Sequence, residues 1–192
     1  MHNIISFLVK IITIPILNKK IKKKLQNKIC NYIFTYKIRK NAKYIGHNLR
    51  CGTFCSLGPN AEIGDEVWIS ECKVTHKMNP KAKVKIGNYV AIGAEVLIIT
   101  ASHNYKSDKL PFDETYIEKD VIIKDFAWIG SRVTLLPGSI IGKGAIIQAG
   151  SCVHGNIPDY SIVGGNPAKV FGERDIDKFK TLEQNKCFLI RK

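Results

Sequence analysis

The chain lacks the devices by which many functions announce themselves. Its six cysteines, Cys30, Cys51, Cys55, Cys72, Cys152 and Cys187, contain no CxxC pair and form no zinc-spaced ladder with the histidines. Reduced thiols in a cytoplasmic protein are the simplest reading, and no metal site is expected. Long apolar runs are missing as well. Residues 4–17 are apolar but broken by Ser6, Lys10 and Thr13, short of the roughly 20 residues a spanning helix needs. A secretory signal is not expected, because the basic residues follow the apolar run and no small-x-small cleavage site appears. Acidic residues are absent from residues 1–43, which hold eleven Lys and Arg; the rest of the chain holds nineteen against sixteen Asp and Glu. The formal charge of +14 is therefore a property of this tail. A nearly neutral body gives nucleic acid no basic face to bind, and none is expected as a partner.

What the chain does have is periodicity of two kinds. In residues 1–43, Ile4, Ile5, Leu8, Ile11 and Ile12 fall on helical spacing, and Pro15 ends or kinks that helix. A second helical stripe runs through Ile21, Leu25, Ile29, Tyr32, Ile33 and Tyr36, with Lys19, Lys20, Lys22, Lys23, Lys24 and Lys28 around it. Such a basic amphipathic arm suits either an anionic membrane surface or packing against its own oligomer with solvated lysines.

From Ile45 onward the period becomes six. An apolar or small residue recurs at Ile45, Cys51, Leu57, Ile63, Ile69, Thr75, Ile86, Ile92, Ile98, Ile123, Ile129, Leu135, Ile141, Ile147 and Val153, fifteen hexads in phase. Glycine follows it in Gly46, Gly52, Gly58, Gly64, Gly87, Gly93, Gly130 and Gly142. The fifth position is small or β-branched, as in Ala61, Val67, Val90, Val96, Ala127, Val133, Ser139, Ala145 and Ser151. One short strand plus one turn per hexad closes a triangular coil in three repeats. Fifteen hexads make about five such coils, stacked at ~4.8 Å. The phase slips between Thr75 and Ile86 and again between Ile98 and Ile123, where residues 104–120 read as a loop thrown out of the coil. Past Val153 the pattern ends, and Asp175 is placed to cap a short helix through Phe179 and Leu182. The expected organisation is an arm, 1–43, a β-helix, 44–172, and a C-terminal helical cap, 173–192.

Five fragments carry a resemblance: Thr100-Ala101-Ser102-His103, Trp128-Ile129-Gly130-Ser131, Leu136-Pro137-Gly138, Gln148-Ala149-Gly150-Ser151 and Gly165-Asn166-Pro167-Ala168-Lys169-Val170. In order on one sustained repeat, they make residues 44–172 similar to the hexapeptide-repeat acyltransferases, which include maltose and galactoside O-acetyltransferases and the O-acetylating enzymes of capsule and lipopolysaccharide synthesis. The resemblance implies a left-handed coil, a homotrimer with coenzyme grooves between neighbours, acetyl-CoA as donor, and direct transfer within a ternary complex.

Transfer to a hydroxyl needs a base, and histidine titrates near neutral pH. His103 ends its hexad where the coil opens into the loop, the point at which the resembling family carries its catalytic histidine. His76 stands near the other slip and is a weaker candidate to line the cleft. A backbone N–H of Gly130 or Ser131 is a candidate donor to the oxyanion. The family pattern places coenzyme contacts at Ser131, Ala149, His154, Gly155 and Lys169. Two departures stand out: His154-Gly155 replaces a threonine-lysine type pair, and Gly172 takes the place of a distal arginine, for which Arg174 or Lys169 is the candidate substitute. Acceptor candidates are Asn79, the only amide ahead of His103 in the segment 72–80, Tyr105 and Asp108 in the loop together with Asp113 and Tyr116, and Trp128, which either walls the pocket or packs at a trimer seam. Cys152 sits as an ordinary repeat residue.

The function expected is acetylation of a sugar or surface-polysaccharide precursor by a cytoplasmic enzyme, whose residues 1–43 either rest on the inner face of the membrane or pack within its own oligomer. N-acetylation of an amino sugar or other amine, including antibiotic inactivation, changes only the acceptor pocket. A non-enzymatic β-helix scaffold is the remaining alternative; its metal-binding relatives need three spaced histidines, which His47, His76, His103 and His154 do not supply.

Overall fold

The structure is a computed structural model that describes residues 38–52, 54–78 and 80–190, and ahead of them Lys19, Ile21, Lys23, Leu25, Ile29 and Tyr36. The expected helix over residues 4–12 and the candidate Asn79 lie outside the described residues. In chain order the strands are β1 (Tyr44–Ile45), β2 (Arg50–Cys51), β3 (Ala61–Ile63), β4 (Trp68–Ile69), β5 (Cys72–Thr75), β6 (Val84–Ile86), β7 (Ala91–Ile92), β8 (Val96–Ile99), β9 (Ala101–His103) and β10 (Tyr116–Glu118). They continue as β11 (Val121–Ile123), β12 (Trp128–Ile129), β13 (Thr134–Leu135), β14 (Ile140–Ile141), β15 (Ile146–Ile147), β16 (Cys152–Val153), β17 (Asn156–Ile157), β18 (Ser161–Gly165) and β19 (Ala168–Glu173), followed by helix α1 (Ile176–Gln184).

Three sheets form the walls: a first of β1, β3, β6, β11, β14 and β17, a second of β2, β4, β7, β12, β15, β18 and β19, and a third of β5, β8, β13 and β16. Neighbouring strands are parallel except β18 with β19, and the four tiers that begin at β3, β6, β11 and β14 each cross all three walls before returning to the first, the topology of a parallel β-helix. The six-residue period produces this because each short strand points one residue inward. Ile63, Ile86, Ile123, Ile141 and Ile157 stack in register behind the first sheet. Ile69, Ile92, Ile129, Ile147 and Val163 do so behind the second, and Val74, Ile98, Leu135 and Val153 behind the third. These columns form one continuous core, with the small fifth-position residues beside them also buried. Where glycine follows the inward residue, the next tier leaves no room for a side chain: a Cβ on Gly130 would lie 2.6 Å from the Ala149 nitrogen.

One position departs from the sequence reading. Val74, not Thr75, lies opposite Ile98, and Val74 is buried while Thr75 is half-buried. The third side of that tier is one residue short, so the phase slips before the 75–86 gap and not within it. Cys72 fills the fifth-position slot opposite Val96 and is fully buried, which drives its thiol pKa above the ordinary range.

The corner between first and second sheets is a column of left-handed backbone, with φ of 55° at Glu66, 56° at Tyr89, 60° at Phe126, 65° at Gly144 and 63° at Tyr160. That conformation costs L-residues about 1–2 kcal/mol each. A ladder of short polar side chains offsets it. Asn88 Oδ1 accepts from the Asp65 N–H at 2.8 Å, Asp125 Oδ1 from the Asn88 N–H at 2.7 Å, and Asp159 Oδ1 from the Lys143 N–H at 2.9 Å. Outside it, Tyr89 and Phe126 stack at 5.2 Å. Helix α1, whose N-terminus is capped by Asp175 accepting from the Lys178 N–H, inserts Phe179 beside Gly144 between Phe126 and Tyr160, at 5.7 and 5.0 Å. Phe188 covers the Tyr89 and Phe126 pair. At the other end, the described residues of the arm up to Asn41 are helical; Ile29 and Ile38 are buried, Ile38 within the core cluster, while Ile21 and Tyr36 are exposed. No helix among the described residues is long and apolar enough to cross a membrane.

Candidate functional site

The second interruption of the repeat is a hairpin rather than an open loop. Residues 116–118, expected within the loop, pair as β10 antiparallel to β9, with Tyr116 opposite His103, Ile117 opposite Ser102 and Glu118 opposite Ala101. Its root is buried at Thr100, whose N–H and hydroxyl both donate to the Thr75 carbonyl, at 3.1 and 3.3 Å. The hairpin leaves the β-helix at the corner between third and first sheets and carries His103 out to solvent.

The His103 imidazole makes no hydrogen bond or ion pair with any described residue; aromatic rings hold it instead. Phe112 stacks on it with centroids 3.8 Å apart and planes 14° from parallel, and Tyr116 lies at 4.6 Å. Stacking of this kind orients the ring while leaving both nitrogens open. Tyr116 was legible as a loop candidate. Phe112 was not, because nothing local marks which apolar residue of a hairpin folds back.

The other candidates occupy three further places. Ser131 and Ala149 sit at the exposed corner between second and third sheets, where the Ser131 carbonyl accepts from the Gly150 N–H at 2.9 Å and its hydroxyl from the Ala94 N–H at 3.1 Å. Lys169 on β19 pairs with Gly164, which packs on Gln148, next to Ala149. His154 and Gly155 lie at the opposite end of β16, the edge strand of the third sheet. Gly150 and Gly155 flank that strand with φ of 76° and 73°, and a Cβ on either would meet nothing within 4 Å. Open glycine backbone beside an edge strand is the terrain a thin amide-bearing chain can approach closely. Trp128 stands 54% exposed on the outer face of the second sheet, between Ala91 and Ile146. Tyr105 and Asp108 are exposed on the hairpin tip. Within one chain, then, the structure gathers Ser131, Ala149 and Lys169 at one corner, brings Phe112 and Tyr116 to His103, and leaves Trp128 on a different wall from the hairpin.

Two suggestions made from the sequence are revised by geometry. The Gly130 N–H donates to the Ile147 carbonyl at 2.8 Å and is engaged within the sheet, so it is not free for an oxyanion. Arg174 donates through Nε to the Gly144 carbonyl at 2.6 Å and lies over the Phe179 ring, which commits it to holding α1 and leaves Lys169 as the candidate substitute for the missing arginine. His76 turns Nδ1 to the Lys77 carbonyl at 2.7 Å. Cys152 lies on the outer side of β16 while Val153 points inward. Among the described residues no three His, Cys, Asp or Glu side chains group as metal ligands.

The bacterial transferase hexapeptide repeat (six repeats) matches residues 116–155. A galactoside O-acetyltransferase of Lactococcus lactis is 38% identical over 101 residues, covering 53% of this chain and 48% of that protein. An Escherichia coli K12 protein provisionally named a lipopolysaccharide biosynthesis O-acetyltransferase is 32% identical over 119 residues, covering 58% and 56%. The chain spans about half the length of the curated relatives it matches. A hexapeptide-repeat acetyltransferase of Vibrio cholerae superimposes with a TM-score of 0.61 over 89% of each chain at 26% identity. The same protein has been solved with acetyl coenzyme A, with a TM-score of 0.60 to this chain at 25% identity. The repeat read from the sequence is matched over residues 116–155, and the likeness to hexapeptide-repeat structures implies the left-handed form of the β-helix.

Proposed function

We propose, from the premise of a hexapeptide-repeat chain similar to acetyltransferases, that this protein transfers the acetyl group of acetyl-CoA to a hydroxyl of a sugar or surface-polysaccharide precursor, with His103 as general base. One observation carries the reading: an exposed imidazole with both nitrogens open, pinned by Phe112 and Tyr116 on a hairpin at a β-helix corner. In that position one ring nitrogen takes the acceptor's hydroxyl proton as the oxygen attacks the thioester carbon. The collapsing adduct expels the coenzyme thiolate, and the imidazolium returns the proton to sulfur. Ser131, Ala149 and Lys169, with His154 and Gly155 across β16, are proposed to line the coenzyme's path, Lys169 serving its phosphates. Tyr105, Asp108 and Asn79 are proposed acceptor contacts.

The separation of Trp128 and the Ser131 corner from His103 supports a homotrimer of about five-coil left-handed helices in which each site combines walls of two chains. The basic arm, 1–43, is proposed to rest on an anionic membrane surface from the cytoplasmic side. The test is thiol release from acetyl-CoA against maltose, a galactoside, nucleotide sugars, glucosamine and chloramphenicol. Release with a hydroxyl sugar, abolished by His103→Ala, is expected. Release with amines alone would overturn the O-acetylation reading and leave the base in place.

A further inference from the structure

The two interruptions of the hexad repeat, read in sequence as separate slips, are one structure. Lys77 and residues 81–83, within the first, are stitched to the outgoing strand of the hairpin that fills the second. Glu118 makes the joint: one carboxylate oxygen pairs with Lys77 Nζ at 2.9 Å, and the other accepts from the backbone N–H of Lys81 at 2.7 Å and of Ala82 at 3.2 Å. Its side chain is only 12% exposed, so the joint is shielded from the solvent that weakens ordinary surface pairs. One residue beyond β10, the Lys119 N–H donates to the Thr100 carbonyl, and Asp120 Oδ1 accepts from the Lys83 N–H at 2.8 Å.

The direction in which this joint acts follows from strand geometry. Residues two apart on a strand share a face, and so do residues directly opposite in an antiparallel pair. Glu118, Tyr116, and their partners Ala101 and His103 therefore form one face of the hairpin. Anchoring Glu118 fixes that face at its root, and Tyr116, one step further out, lies against the imidazole. Since His103 has no hydrogen-bonded partner among the described residues to orient it, the hairpin itself must hold its angle.

We propose that Glu118 is a positioning residue for His103: by tying Lys77, Lys81 and Ala82 to β10, its carboxylate sets the face on which the imidazole is presented. This rests on the reading of His103 as the base. Four variants of the full chain test it: Glu118→Ala, Glu118→Gln, Lys77→Ala and His103→Ala. In Glu118→Ala, amides of β9 and β10 should exchange at least ~10-fold faster while those of β11 to β16 are unchanged, and the His103 imidazole NMR signals should shift. With the acceptor that supports thiol release, kcat should fall by ~30-fold or more with KM for acetyl-CoA within ~3-fold, the signature of a displaced base and not of lost binding. Glu118→Gln, which keeps an oxygen for the Lys81 N–H, should recover part of that loss, and Lys77→Ala should fall between wild type and Glu118→Ala. Unchanged exchange and unchanged imidazole signals would overturn the proposal whether or not an acceptor is in hand. Faster exchange at full kcat would also overturn it, leaving Glu118 a structural residue. Full turnover in His103→Ala would remove the base itself, an outcome separable from failure of Glu118 alone.

Discussion

As the proposed general base, His103 is held by stacking and not by a carboxylate. His103 has two aromatic rings beside it, and no described residue forms an ion pair with it. Replacing it with alanine removes the proposed proton acceptor while leaving the hairpin's strand pairing intact, so turnover should fall by at least ~10²-fold. Circular dichroism and melting temperature should stay at wild-type values; normal turnover in that folded variant would remove His103 from the mechanism. Phe112 could be recognised only in three dimensions, because what distinguishes it from its exposed neighbour Leu110 is a contact across the hairpin, not a local pattern. The same is true of Val74. Counting by six puts Thr75 inside, and only the register against Ile98 reveals the shortened turn. The inward columns were legible because a fixed period projects directly onto a fixed wall. Departures from the period were legible as places, but their contents were not.

At the scale of elements, the hairpin root and the C-terminal helix each respond to a specific perturbation. Lys77, then the Lys81 and Ala82 N–H groups, hold the Glu118 carboxyl down to about 2, against some opposition from desolvation. A carboxyl whose folded value is depressed contributes stability that is complete above its unfolded value, 4.5, and lost as pH falls through about 2. Amide exchange or proteolysis of the hairpin should therefore increase between those limits, and Glu118→Gln should flatten the dependence there. A hairpin equally open from pH 7 to pH 2 would show that this carboxylate does not govern it. Helix α1 depends on a vacancy: Gly144 has φ of 65°, and a Cβ there would sit 2.8 Å from Phe179 Cε2. Gly144→Ala combines left-handed strain of about 1–2 kcal/mol with ejection of that ring. A lower melting temperature and faster cleavage within residues 176–190 are expected, whereas Phe179→Ala should free the helix without straining the corner. The Asp175 cap was legible from residue type and position alone. The Gly144 socket was not, since its two halves are 35 residues apart.

At the scale of the whole molecule, the tail and the walls pose separate questions. Eleven cations without an anion in residues 1–43 attract an anionic bilayer by about 1 kcal/mol per residue near the surface. Full-length protein should sediment with anionic vesicles at low salt and be largely released at high salt, as screening shortens the field. Failure to sediment at low salt would reduce the arm to packing, for which buried Ile29 and Ile38 already supply a surface. The walls carry the stronger argument about assembly. His103 leaves the corner between third and first sheets, while Ser131 and Ala149 occupy the corner between second and third and Trp128 the outer face of the second. A rigid β-helix cannot fold these walls together, so a site using all of them draws on two chains. Complementation reads this directly. His103→Ala and a Ser131→Tyr variant that blocks the second corner should each be inactive alone. Mixed trimers formed by co-expression should regain a fraction of wild-type turnover, because some interfaces then pair an intact His103 with an intact Ser131 corner. If each site lay within a single chain, every site in every mixture would carry exactly one of the two defects, and no turnover would return. No recovery in trimers verified by mass to contain both variants would place the complete site within one protomer and leave Trp128 outside it.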